Sequence, residues 1–291
     1  VTSSAKVAVA IPCYNEAAAI AAVLSAWRSA LPEAELVVFD NNSTDGTGDL
    51  ARSLGIRVVP VASQGKGHVV QSIFADLADF DGVIMIDGDG TYPAEPIRDL
   101  LDPVLAGRAE MAVGARRPVA APGAMSPVRG LGNRLIGSAF RVLIGPGNRD
   151  LLSGYRVFSR RFRQLVQPRS AGFEIEAELA SEAVARGLPI VEIPVPYHPR
   201  IAGTVSKLRA FRDGWRILRL ILQQGIRHRP WRRRFFWSAQ LFARRRFSSW
   251  ARPCSSPPSP PQPSSGPAKA EIRRNHHEIP GKPVNSRAIP R

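Results

Sequence analysis

Five short apolar runs separated by four helical segments occupy residues 6–114, and this alternation constrains the fold more than any other feature. The runs are Lys6–Ile11, Leu36–Phe39, Ile56–Val61, Val83–Ile86 and Met111–Gly114. Between them lie Ala17–Ala30, a stretch ending at Leu54, a stretch from "SQGKG" to about Ala78, and Pro96–Ala106. Ala17–Ala30 is rich in Ala, and Asn15 and Glu16 are expected to set its start. Continuous apolar runs suit strands buried on both faces, and strands joined through helices run parallel. The pattern predicts an α/β fold with a mostly parallel sheet and helices on both faces.

Polar residues stand where such a fold binds ligands. Tyr14, Asn15, Glu16, Asp40, Asn41, Asp45, Asp87 and Asp89 all fall just past the carboxyl ends of the expected strands. In open α/β sheets that edge is the ligand crevice. "VIMIDGDGTYP" runs four apolar residues straight into two carboxylates one glycine apart. Like charges that close repel, so the pair reads either as a turn or as a seat for a cation.

Farther on, "LLSGYRVFSRR" reads as a strand entering a turn, Phe173–Arg186 as a helix and Pro189–Tyr197 as an extended strand, with another helix near Leu131–Ile144. From Val205 the character changes. Leu208, Phe211, Trp215, Leu218, Leu222 and Ile226 recur every three or four positions, with Arg209, Arg212, Arg216 and Arg219 on the other face. That pattern predicts a basic amphipathic helix. "WRRRFFWSAQLFARRRFSSW" again sets aromatics between arginines, and the Pro/Ser-rich composition from Ala251 onward predicts disorder. Residues 1–199 hold 19 Lys+Arg against 21 Asp+Glu; residues 200–291 hold 21 against 3. The net +16 is thus a near-neutral body with a cationic appendage, giving units 1–204, 205–250 and 251–291. The residues from Val1 do not read as a signal peptide, and no apolar run reaches the roughly 18 residues of a membrane span. Cys13 and Cys254 lie too far apart in sequence character for a disulfide framework or a zinc site, which fits a reducing compartment.

"IPCYNE", "DNNSTDGT", "GKG", "DGDGTYP", "SGYRVFSRR", "FEIEAEL" and "RIAGTVSKL", in this order, resemble family 2 glycosyltransferases of the GT-A fold, in the branch of dolichyl-phosphate and polyprenyl-phosphate sugar synthases. The resemblance covers about residues 6–225. It implies a nucleotide-sugar donor and a divalent cation, Mg²⁺ or Mn²⁺, on the diphosphate leaving group. It implies Asp89 as a direct metal contact, Asp87 beside the ribose or metal, and Asp40 at the nucleobase. Pro12, Tyr14 and Glu16 would pack around the nucleoside, with Lys66 near the diphosphate and Thr91 as a weak further ligand. Each has a plainer reading: Asp40 as a turn cap, Glu16 as a helix-dipole partner, His68 and His198 as structural residues. "GKG" lacks the P-loop spacing.

For the acceptor, a hydroxyl needs a base, and Glu174, Glu176 and Glu178 are the candidates by resemblance, or else an exposed helix face. A lipid phosphate is already an anion and needs cations instead. Arg116, Arg129, Arg134, Arg200 and Lys207 are the expected contacts, or solvated surface charge. "QQGIRHRPW" places Gln224 and Arg227 as in the QxxRW motif of processive synthases, but His228 stands where Trp belongs. The reading is an inverting hexosyltransferase, with UDP-glucose or GDP-mannose as donor and polyprenyl phosphate as acceptor. It would be peripheral on the cytoplasmic membrane face through residues 205–250, with no nucleic acid bound. Transfer to a sugar hydroxyl is the first alternative, and nucleic-acid binding by the basic tail is one of a different class.

Overall fold

A computed structural model describes residues 5–119, 127–203 and 212–227. Lys207 and the segments expected to be aromatic-basic and Pro/Ser-rich lie outside these residues.

The five apolar runs form β1 (Val7–Cys13), β2 (Glu35–Asp40), β3 (Arg57–Pro60), β4 (Gly82–Met85) and β5 (Met111–Pro118). Between them run α1 (Ala17–Ala30), α2 (Thr47–Ser53), α3 (Lys66–Asp76) and α4 (Ile97–Leu105). Then follow α5 (Pro127–Leu143), β6 (Arg156–Ser159), α6 (Arg160–Leu165), α7 (Ile175–Arg186) and β7 (Ile190–Tyr197). A last helix, α8, spans residues 212–227.

The seven strands lie in the order β3-β2-β1-β4-β6-β5-β7. All neighbours are parallel except β6, which is antiparallel to both β4 and β5. The expected α/β fold, mostly parallel and covered on both faces, is therefore present. The order reverses between β1 and β4, so the carboxyl ends of β1, β2 and β4 open on a switch-point crevice.

Side-chain alternation along β1 divides the core. Val7, Val9, Ile11 and Cys13 pack under Ile20, Val23, Leu24 and Trp27 of α1 and Leu100 and Leu101 of α4. Ala8 and Ala10 face the other side, against Val70, Ile73 and Phe74 of α3 and Phe162 of α6. α7 is covered twice. Ile175, Leu179 and Ala183 pack toward the sheet, while Ala177 and Ala180 pack outward on Phe140 and Ile144 and on Ile217 and Ile221 of α8.

That outer layer refines the expected amphipathic helix. The side of α8 that meets the body carries Asp213, Ile217, Ile221 and Gln224, not the predicted apolar stripe. Trp215, Leu222 and Ile226 of that stripe remain exposed. The helix is too crowded with non-polar residues to have only one apolar face: one stripe docks, a second stays outside, and arginines fill the third. Among the described residues no helix is long and apolar enough to cross a membrane.

Candidate active site

The crevice is built first by the loop after β2. The start of α1 has no side-chain cap of its own, contrary to the expectation for Asn15 and Glu16. The segment "NNSTDGT" supplies the acceptors instead. Ser43 Oγ accepts from Asn15 N at 3.0 Å, Thr47 Oγ1 from Glu16 N at 2.9 Å and Asp45 Oδ2 from Ala17 N at 2.9 Å. These bonds satisfy the orphan donors of a helix N-terminus and tie the first loop to the second. Asn15 itself, at a φ of 54°, accepts from Thr44 N.

Below that edge, Lys66 at the start of α3 meets Asp87 at 2.6 Å and Glu176 of α7 at 2.8 Å. Burial alone would depress the Lys66 ammonium, but the two carboxylates outweigh it and raise its pKa. Burial likewise works to raise Asp87, and Lys66, with smaller help from Arg200 and Arg116, holds it below the usual carboxylate range. The glycines of "GKG" have a steric cause. A Cβ on Gly65 would lie 2.2 Å from Ala171 O, and one on Gly67 would lie 1.8 Å from Ser170 O. The 169–172 loop can therefore sit on the helix start, where Gly67 N donates to Ala171 O. Glu178 holds that loop by accepting from Arg169 N and Ser170 N.

Asp89 is buried and doubly oriented, since Thr91 donates to its Oδ1 from both N and Oγ1, at 3.1 and 2.7 Å. Its other oxygen is ion-paired with Arg200. The chain beyond β7 reaches there because His198 N donates to Thr91 O and Ile201 N to Asp89 O. "SGYR" works underneath. Ser153 Oγ donates to Gly114 O, Gly154 backs directly onto the Asp87 carboxylate, and Tyr92 Oη accepts from Gly154 N. The fully buried Arg156 donates to the carbonyls of Ser153 and Leu151 and so fixes the turn.

These groups open on one cavity of about 350 Å³. Of the residues predicted from sequence, Pro12, Tyr14, Glu16, Lys66, Asp87, Asp89 and Arg200 line it. Asp40 does not; its Oδ1 accepts from Ser43 N, and its neighbour Asn41 lines the wall. Arg116 lies on β5 outside the lining and forms a two-bond pair with Asp150, at 2.7 Å each. Arg134 is exposed on α5, and Arg129 falls in the first turn of that helix. Thr91 orients Asp89 rather than lining the cavity. None of Glu174, Glu176 and Glu178 lines it. Sequence reasoning missed Gln64, Phe173, Arg212 and Arg216 as lining residues. Asn41 was legible as a strand-end polar residue, but the two arginines looked like the polar side of an amphipathic helix.

The donor set suits a hard divalent cation. Asp87 and Asp89 sit on the crevice floor, and in this structure each carboxylate already holds a cationic side chain, Lys66 or Arg200, as counter-charge. Among the described residues no three His, Cys, Asp or Glu side chains converge. A magnesium-like ion is held by one or two carboxylates plus substrate phosphates, which matches this pair.

The family model described as glycosyl transferase family 2 matches residues 8–164. The chain is a family 2 glycosyltransferase. It is 40% identical over 208 residues to glycosyltransferase AglJ of Haloferax volcanii, covering 72% of this chain and 68% of that protein. A dolichyl-phosphate hexose transferase of the same organism is 32% identical over 225 residues, covering 76% and 95%. Among solved structures, glucosyl-3-phosphoglycerate synthase from Mycobacterium tuberculosis, in complex with Mn²⁺, UDP and glucosyl-3-phosphoglycerate, superposes with a TM-score of 0.59 at 24% identity, over 76% of this chain and 78% of that one. This last likeness is one of fold, the GT-A architecture expected for the family 2 transferase.

Proposed function

We propose that this family 2 transferase moves a hexose from a nucleotide sugar, UDP-glucose or GDP-mannose, to a polyprenyl phosphate with inversion at the anomeric carbon. The observation that carries the reading is the division of charge in one cavity. Asp87 and Asp89 lie on its floor, Arg200, Arg212 and Arg216 line it, and of its other carboxylates Glu16 belongs to the first loop and Asp213 pairs with Arg212, while Glu174, Glu176 and Glu178 are absent from its walls. Glu176 is committed to Lys66, Glu178 to two backbone N–H groups, and Glu174 Oε1 accepts from Gly172 N. A hydroxyl acceptor would need such a carboxylate as base; an anionic phosphate needs positive charge instead. The name of one relative, the dolichyl-phosphate hexose transferase, agrees.

In this mechanism an acceptor phosphate oxygen forms a bond to the anomeric carbon while the bond to the departing nucleoside diphosphate breaks on the opposite face. A divalent cation held by Asp89 and Asp87 would neutralise the charge that develops on the leaving group. Thr91 keeps Asp89 aimed at the cavity, and Lys66, itself steered by Glu176, keeps Asp87 ionised and in place. The first loop, pinned by Ser43, Asp45 and Thr47, forms the nucleoside wall with Pro12, Tyr14 and Glu16.

We read the reaction as lying at the cytoplasmic membrane face, where a polyprenyl-phosphate acceptor would be held. Among the described residues, six of the ten exposed large hydrophobics lie on α5 and α8, which share one packed cluster: Leu131, Leu135 and Val142, then Trp215, Leu222 and Ile226. Arg134 and Arg141 flank the first group, and Arg219 and Arg227 the second, a composition suited to an anionic bilayer surface.

The test is transfer of radiolabelled hexose from each donor to polyprenyl phosphate with Mg²⁺ or Mn²⁺, in wild type and Asp89→Ala. Lipid-phase label with wild type alone is expected. Label in a soluble sugar, with none in lipid, would replace the acceptor by a hydroxyl.

A further inference from the structure

Helix α8 carries three stripes at about 100° per residue. Asp213, Ile217, Ile221 and Gln224 are buried on the body. Trp215, Leu222 and Ile226 form an exposed apolar stripe. Arg212, Arg216, Arg219 and Arg227 form the third, and its first two members, together with Asp213, line the active-site cavity beside Arg200. Arg212 Nε pairs with Asp213 at 3.4 Å, while Arg216 has no carboxylate partner among the described residues. Side chains four apart on a helix stand about 5–6 Å from each other at Cβ, so two guanidinium groups can straddle one phosphate. Arg200 is engaged with Asp89, on the side where the donor diphosphate would lie.

We infer that Arg212 and Arg216 are the phosphate grip for the acceptor, an isoprenyl monophosphate whose chain leaves along Trp215, Leu222 and Ile226. The inference rests on the lipid-phosphate reading above. Its support is the joining, on one helix, of cavity-lining arginines to an exposed apolar stripe that runs away from the cavity. A phosphomonoester brings nearly two negative charges, and guanidinium groups bind such oxygens in pairs. A water-soluble phosphomonoester shares that chemistry but has no use for the apolar stripe.

The experiment is calorimetric binding of farnesyl phosphate to the full chain saturated with UDP and Mn²⁺. Arg212→Gln and Arg216→Gln are each expected to weaken binding about tenfold, with Arg216→Lys recovering part of the loss and UDP–Mn²⁺ affinity staying within about twofold. Unchanged farnesyl phosphate affinity in both variants would overturn the inference, as would an equal loss of UDP–Mn²⁺ affinity, which would assign the arginines to the donor. Inorganic phosphate binding as tightly as farnesyl phosphate would overturn its lipid half. The transfer assay separates the two readings. Arginine-dependent binding without hexose transfer keeps the grip and removes the reaction. Transfer to polyprenyl phosphate with an acceptor KM unaltered in Arg212→Gln and Arg216→Gln keeps the reaction and removes the grip.

Discussion

Gly154 backs onto the floor of the site so closely that a Cβ would lie 2.1 Å from Asp87 Oδ2. Its backbone is not in the left-handed region, so alanine costs little in conformation, and the three nearest atoms its methyl would meet all belong to Asp87. Gly154→Ala is expected to weaken Mn²⁺ binding by about 10–100-fold while leaving the far-UV circular dichroism unaltered, because residues supporting a ligand typically carry that much of the affinity. Arg200 acts in the opposite sense. Its guanidinium pairs with the Asp89 carboxylate and would compete with a cation for it. Arg200→Gln is expected to raise Mn²⁺ affinity in the absence of nucleotide by about fivefold, roughly 1 kcal/mol for a partly exposed ion pair. Titration followed by Mn²⁺ electron paramagnetic resonance checks both variants, and equal or weaker binding in Arg200→Gln would rule out the counter-ion role.

At the scale of elements, α1 depends on a loop far from it in sequence. Asp45 accepts from Ala17 N and Thr47 N, and Asp45→Ala is expected to cost about 0.5–2 kcal/mol in urea unfolding. Although burial works to raise Asp45, its bonds from Thr47 and Ala17 lower the pKa below the ordinary 3.8. A folded pKa below the unfolded one means that the contribution is complete above about pH 4 and is lost as pH falls through the folded value. The stability gap between wild type and Asp45→Ala should therefore narrow on acidification; a gap constant down to pH 2 would deny Asp45 that role. The periodicity of residues 17–30 made the helix visible, but no local pattern could reveal that its cap arrives from residues 43–47. Nor could composition give the direction of β6, which runs antiparallel to both β4 and β5.

For the molecule as a whole, α5 and α8 lie side by side and present their uncovered apolar residues with arginines. Trp215→Glu is expected to reduce partition onto vesicles containing anionic lipid by roughly thirtyfold, about 2 kcal/mol for one large side chain. Arg219→Gln should cost about 1 kcal/mol and lose its effect at high salt. Co-sedimentation measures both; unaltered binding by both variants would remove this face from the membrane.

The sequence by itself determined the strands β1 to β5 and the helices between them, because apolar runs buried on two faces and helical periodicity are local signals. It also marked the strand-end polar residues, since only one edge of a parallel sheet can host them. The tertiary structure alone decided which of those residues share a cavity. It turned Asp40 to its own loop and Arg116 to Asp150, and brought Arg212 and Arg216 in from a helix whose docked stripe differs from its most apolar one. The same packing explains the glycines of "GKG" and "SGY", which exist for contacts with Ser170, Ala171 and Asp87. Such choices depend on which surfaces meet across long sequence separations, and pairwise contacts of that kind leave no period in a single chain.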